Sequence, residues 1–331
     1  MFYVGSYTAD MGGTAVGISA LGSTADGSLE YLGTAARAAS PAYLAAHDDL
    51  VYATSEAAGT VEAYRRGDGF SLELVATAEA GGTSPCHVAR YGETLVASCY
   101  VDGRLGVLAA SPLALTQVLE GENRAEAELE AEPAAHAPHP AQDGPHAHAT
   151  FALDATTILS ADLGTDQIHV HTLADGVLVR TRSVALPAGT GPRDFLRHPS
   201  GRVLVLGELG LTITALNDRL EVVDSVRLAG AEHGDHAAAL STSADGRFVY
   251  AGLRGSNRIS IVDTTGAAMT PAGFVDAEGD WPRHHLVDGD LMHVAHERSS
   301  SVASFRISAD GIPRPISAPI RVPSPIFLLK A

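Results

Sequence analysis

Short runs of alternating apolar and polar residues fill most of the chain, broken by turns rich in Gly, Asp, Ser and Pro. The runs favour Val, Leu, Tyr and Thr and are too short for amphipathic helices, so they predict half-buried β-strands. The strands fall into a repeated unit: Pro or a small residue, an apolar segment, a polar turn, a second apolar segment, a loop, then two further strands. It reads SPAYLAAHDDLVYATSEAAGTVEAYRR from Ser40 and SPCHVARYGETLVASCYVDGRLGVL from Ser84. It recurs as PHAHATFALDATTILSADLGTDQIHVHTL from Pro145, GPRDFLRHPSGRVLVLGELGLTITAL from Gly191 and HAAALSTSADGRFVYAGLRGSNRISIVD from His236. The last full unit is WPRHHLVDGDLMHVAHERSSSVASFRI from Trp281.

Markers at Pro41, Pro85, Pro145, Pro192, Ala237, Pro282 and Pro325 are spaced by 44, 60, 47, 45, 45 and 43 residues. A period of about 40–50 residues with four strands each is the signature of propeller blades. The C-terminal SPIFLLKA supplies only a first strand, whereas the N-terminal MFYVGSYT, AVGISAL and LEYLGTAAR supply a second, third and fourth. Together they make one split blade beside six complete ones. The expected fold is therefore an all-β, seven-bladed propeller of four-stranded antiparallel blades, spanning 1–331 as a single domain. Pairing of the terminal strands would close the ring and remove an exposed sheet edge. The 60-residue spacing marks an insertion at 112–144, acidic and Ala/Glu-rich, then Pro/His-rich. It reads as a partly helical surface excursion or as a flap beside the channel.

The 45% apolar content and mean hydropathy of +0.09 are enough for a substantial core. No apolar run reaches membrane-spanning length and no charged-then-apolar leader precedes MFYVGSYT, which points to a soluble, cytoplasmic protein. Cys86 and Cys99 read as reduced, buried thiols. A formal charge of −17 argues against nucleic acid or an anionic membrane as partner. It also makes any local group of arginines informative, because the overall field repels anions.

In a blade, the start of the first strand and the end of the second meet at one mouth of the central channel. First-strand starts here carry His87, His146, His148, Arg193, His236 and Arg283; second-strand ends carry Glu56, Tyr100, Asp162, Glu208, Arg254 and Glu297. Aligning the fourth unit on the third puts His148 level with Arg193 and leaves His146 on the approach loop. Arginine is suited to holding a carboxylate or phosphate through its planar fork. Either Glu208 or His148 has the chemistry of a general base. His146, Asp162, Arg283, Tyr100 and Glu56 are then candidates for substrate contact. The bland alternative is a set of salt bridges between blades. Metal-site candidates are His136, His139, His146 and His148, or His169 with His171, but neither spacing matches a closed zinc pattern. There is no Gly-rich phosphate loop, and GTSPC at Gly82 is not a nucleophile elbow.

The motifs YVGSYT, SEAAGTVEAY, SPCHVA, PHAHATF with ADLGTDQIHVH, GPRDFLRHPSGR, GELG and SADGRFVYAGLRGSNRISI cover essentially the whole chain. In them the sequence resembles the seven-bladed propeller lactonases, a family that includes 6-phosphogluconolactonases and muconate lactonizing enzymes. The resemblance implies a catalytic His, two Arg and a Glu, which fall on His148, Arg193, Glu208 and Arg254. It implies no metal or organic cofactor, and an anionic sugar lactone, first of all 6-phosphogluconolactone, as the small-molecule substrate. The alternatives are a muconate-type cycloisomerase and a non-enzymatic propeller that binds a ligand or protein. The chain departs from the family pattern at Asp194, where His is usual, and at Gly207 and Leu253, where Asn is common. The oligomeric state is left open.

Overall fold

The computed structural model describes residues 1–123 and 139–331. Seven antiparallel sheets form the blades, and among the described residues the only helical element is one short turn at Ala9–Met11. The innermost strands of blades 1 to 7 are Pro41–His47, Pro85–Tyr91, Ala147–Ala152, Pro192–Arg197, His236–Thr242, Pro282–Asp288 and Pro325–Lys330. Each neighbours the next around the axis, and the seventh returns to the first. In blade 7 the C-terminal strand pairs with Phe2–Ser6, in register from Phe2 opposite Lys330 to Gly5 opposite Phe327. This is the expected closure by the two termini. Blade 6 carries one extra two-residue strand, Ile320–Arg321, against Ser301–Ile307.

The apolar residues fall into seven main clusters, one at each interface between adjacent blades. Blades 4 and 5, for example, share Leu204, Leu206, Ile213, Ala237, Val249 and Ala251. Second and third strands are sandwiched on both faces, so stretches such as Leu50–Ser55 and Thr94–Cys99 are buried almost throughout. Outer strands such as Leu72–Glu79 alternate, with one face in water.

The insertion is shorter than the sequence pattern suggested. Leu113–Leu119 forms the fourth strand of blade 2, paired along Leu105–Ala110. The excursion therefore begins after Leu119, because alternating LALTQVL completes the blade. The helical character expected within it falls largely on 124–138, outside the described residues, as does His136.

Candidate active site

Every innermost strand breaks its ladder near its start. The register slips between Pro41 and Leu44, Pro85 and His87, Ala147 and Ala149, Pro192 and Asp194, Ala238 and Leu240, Pro282 and His284, and Ser6 against Pro325. A β-bulge leaves one residue unpaired and re-aims its side chain. Ala42, Cys86, His148, Arg193, Ala239, Arg283 and Ile326 occupy these slips, and all seven line one cavity of about 70 Å³ on the axis. His148 and Arg193 thus occupy equivalent places in blades 3 and 4. Tyr43, His284 and Phe327 line this cavity and also a larger chamber of about 570 Å³ towards the other mouth. Tyr43 and His284 pack on Phe327 with centroids 4.0 and 4.2 Å apart, an aromatic floor between the two spaces.

Glu208, immediately after the second strand of blade 4, is the hub of the site. Its Oε2 accepts from Arg193 Nη1, and its Oε1 lies 2.7 Å from Arg254 Nη2 and 3.0 Å from His236 Nδ1. Glu208, Arg193 and Arg254 are each less than a tenth exposed. Burial alone would raise the carboxyl, but Arg254 and Arg193 overcome it and hold Glu208 well below the usual carboxylate range. The same burial, with repulsion from Arg193 and Arg283, brings the Arg254 guanidinium down to about 10. The three charges leave one net positive charge on this side of the channel.

On the opposite side, Tyr7 donates its hydroxyl proton to Glu56 Oε2 at 2.9 Å. Arg283 Nη2 donates to the Tyr7 oxygen at 2.6 Å, and its Nη1 lies 3.3 Å from Glu297 Oε2. Burial pushes the Glu56 carboxyl up, against the pull of Arg283. Between these groups His148 lies deep in the channel, half exposed to the cavity and edge-on to Tyr100 at 6.0 Å. Burial and the positive field of Arg193 hold its imidazole well below the ordinary histidine value, so it is neutral. A neutral imidazole beside fixed guanidiniums can take a proton from water while the cations stabilise negative charge nearby.

The structure therefore brings His148, Arg193, Glu56 and Arg283 to one cavity, with Glu208 and Arg254 bonded behind Arg193 and Tyr100 at its edge. His146 and Asp162 lie elsewhere. The His146 ring is stacked on Tyr100 at 4.7 Å, with Nδ1 2.7 Å from the Tyr100 carbonyl and Nε2 2.8 Å from Asp143. Asp162 Oδ1 accepts the backbone N–H groups of His146, Gly164 and Thr165. Both residues shape the approach to His148. His169 and His171 face inside blade 3, with Ser183 Oγ 2.7 Å and Ser160 Oγ 2.9 Å away. Among the described residues no group of three or more His, Cys, Asp or Glu is placed to hold a metal ion. His139, at the end of the insertion, packs edge-on to His236 at 5.8 Å, so this end of the excursion borders the site. Cys99 is buried as expected, whereas Cys86 is half exposed to the cavity, its sulfur 3.4 Å from the His148 carbonyl. The bulge, not the core, sets its position.

Sequence reasoning missed Tyr7 and Trp281. Tyr7 follows the first strand of the chain, and its role is visible only once the termini pair. Trp281 has φ of 68°, where the equivalent residues before other inner strands are Ser40, Ser84, Gly191 and Ser324, all left-handed. A bulky residue in this region costs about 1–3 kcal/mol. The signal available was the departure from Ser-Pro and Gly-Pro to Trp-Pro.

The fold is a closed seven-bladed propeller with a group of charged side chains gathered at one end of its axial channel. The chain matches the family described as "Lactonase, 7-bladed beta-propeller" over residues 1–329, and it belongs to that family. It is 28% identical to the 6-phosphogluconolactonase of Bacillus subtilis (strain 168), over 98% of this chain and 96% of the relative. A solved protein from Lactobacillus plantarum shares the fold with a TM-score of 0.87 at 24% identity, covering 99% and 98% of the two chains. The periplasmic gluconolactonase PpgL of Pseudomonas aeruginosa does so with a TM-score of 0.82 at 23% identity, covering 99% and 97%.

Proposed function

We propose that the protein hydrolyses a sugar lactone, with 6-phosphogluconolactone as the substrate. The observation that carries the reading is a cavity-facing His148, its imidazole held well below the ordinary value by burial, beside Arg193, whose guanidinium is bonded to Glu208. The lactone carbonyl oxygen lies against Arg193 and Arg283, which polarise it and stabilise the oxyanion. His148 removes a proton from water as the water oxygen bonds to the carbonyl carbon. When the ring C–O bond breaks, the imidazolium returns that proton to the departing ring oxygen, and the open-chain acid leaves. Glu208 is too strongly acidic to act as the base; it positions Arg193 and Arg254. The relatives named 6-phosphogluconolactonase support the phosphorylated substrate. Such a substrate is confined by its charge to the compartment that makes it, which under this reading is the cytoplasm. No helix among the described residues is long and apolar enough to cross a membrane.

The test is a rate panel with the purified protein on 6-phosphogluconolactone, gluconolactone and a muconate. Hydrolysis of the first is expected to be fastest, and His148→Ala to lower kcat about 10²- to 10⁴-fold. Glu208→Gln should also lower kcat, and it leaves two buried guanidiniums unpaired at a cost of about 3–5 kcal/mol in stability. Full lactonase rates in both variants would sink the assignment, and turnover of the muconate alone would replace hydrolysis with cycloisomerisation.

A further inference from the structure

One cation at the channel mouth is used neither by the fold nor by the mechanism above. Arg298 follows Glu297 in the loop after the second strand of blade 6 and is exposed. Its guanidinium carbon lies 3.4 Å from the centroid of the Trp281 ring, a stacked arrangement. None of the described carboxylates lies within salt-bridge distance of it. The acids on the same loops are engaged elsewhere: Glu297 with Arg283, and Asp280 Oδ1 with Asn257 Nδ2 at 3.0 Å. What sets Arg298 apart is its close stacking on a ring that also meets Arg254.

The ring beneath it is placed at some effort. Trp281 occupies the left-handed position that four other blades give to Ser or Gly. Its conformation is held by Asn257 Oδ1 accepting the Trp281 N–H at 2.8 Å, while its carbonyl accepts the Glu297 N–H at 3.1 Å. Strained residues of this kind gather at ligand clamps. Trp281 also meets the catalytic side of the site: the Arg254 guanidinium lies 5.6 Å from the same centroid, and His236 is 6.4 Å away. The two guanidinium carbons, at 5.6 and 3.4 Å from one point, are therefore within about 9 Å of each other. Arg254 shares Glu208 with Arg193, so the ring and Arg298 lie next to the charged group that borders the cavity.

We propose that Trp281 and Arg298 form an anion-recognition shelf that takes the terminal phosphate of the lactone, while its ring is opened in the channel. The proposal rests on the lactonase reading and adds the residues that select a phosphorylated over a neutral sugar. Guanidinium supplies paired donors to phosphate oxygens, and stacking on indole fixes the fork before the ligand arrives.

Two measurements test it. The first is the ratio of kcat/KM for 6-phosphogluconolactone to that for gluconolactone. Arg298→Ala should lower this ratio about 10- to 100-fold, the size expected for a charged hydrogen bond. Trp281→Ser, which restores the residue used at Ser40, Ser84 and Ser324, should lower the ratio without lowering Tm. A wild-type protein that favours the phosphorylated lactone, with both variants keeping that preference, would overturn the shelf alone. So would an equal fall on both substrates. A wild-type ratio near one would overturn the phosphorylated substrate and the shelf together. The second measurement does not need turnover. Trp281 is the sole tryptophan, so its fluorescence reports on the shelf. Titration with inorganic phosphate should give a saturable change that Arg298→Ala abolishes. An unsaturable response, or one retained in the variant, would overturn the proposal even in a protein that hydrolyses neither lactone.

Discussion

Two buried glutamates at this channel behave as different reagents because of what surrounds them. Glu208 faces two guanidiniums and an imidazole and is held ionised, whereas Glu56 faces a phenol and one arginine already shared with Glu297. Burial therefore wins at Glu56 and loses at Glu208. Burial is the first cause that keeps His148 neutral; Arg193 adds to it and, after Arg254, also helps to hold Glu208 charged. This fixes the sign of the pH dependence. In the proposed mechanism the base, His148, must be unprotonated in the free enzyme, and burial with Arg193 places its titration below the ordinary value of 6.5. The acid limb of kcat/KM should therefore lie below pH 6.5, with activity undiminished from there to neutrality. Arg193→Gln should move that limb upward, because one of the causes of the depression is gone. A limb at or above pH 6.5 in the unaltered enzyme would assign proton removal to another group.

Strands and turns place these residues, and one glycine shows how. In ADLG, a Cβ on Gly164 would come 1.8 Å from the Gly144 carbonyl oxygen and 2.7 Å from the His146 ring. The close approach keeps the loop that leads into Ala147–Ala152 tight against the turn after Thr157–Asp162. Gly164→Ala must push that loop away. We expect it to cost about 1–3 kcal/mol, as overpacking does, and to lower kcat more than it raises KM, since His148 moves with the strand. A variant with unchanged Tm and kcat would show that the loop yields freely. The blade order, the split seventh blade and the gathering of His148, Arg193, Glu208 and Arg254 at one end of the channel were legible, because strand alternation and the repeated Pro marker carry that information locally. The bulges were not. A one-residue slip leaves the apolar pattern of the strand intact on either side, so Cys86 looked like a core thiol and Asp162 like a channel residue. Tyr7 was hidden for a different reason, because its partners Glu56 and Arg283 are brought to it only by ring closure.

At the scale of the whole molecule, closure through Phe2–Ser6 and Pro325–Lys330 makes every blade interface equivalent, and each is filled from both sides. Histidines are also buried within this sheet stack outside the cavity that His148 lines. Burial lowers His171 to about 3, and His285, His293 and His296 to about 4. All four are neutral in the folded chain, while in the unfolded chain they titrate near 6.5. Below that value the unfolded state binds more protons, so stability falls as pH falls from about 6.5 towards 4. Glu56, Glu62 and Asp194, whose carboxyls burial pushes up, act in the opposite direction. They are fewer, and a tenfold change in one group's proton affinity on folding is worth about 1.4 kcal/mol, so the imidazoles dominate against a total margin of roughly 5–15 kcal/mol. Calorimetry should therefore show Tm falling progressively from pH 6.5 to 4.5, above the range where most carboxylates titrate. His171→Gln keeps an amide within reach of Ser160 Oγ, the partner now 2.9 Å from His171 Nε2, and removes one titrating group. It should make the slope shallower while leaving Tm at pH 8 close to that of the parent. A parent Tm that is flat from pH 7 to 5 would mean that these imidazoles gain protons in the folded state as readily as in the unfolded one.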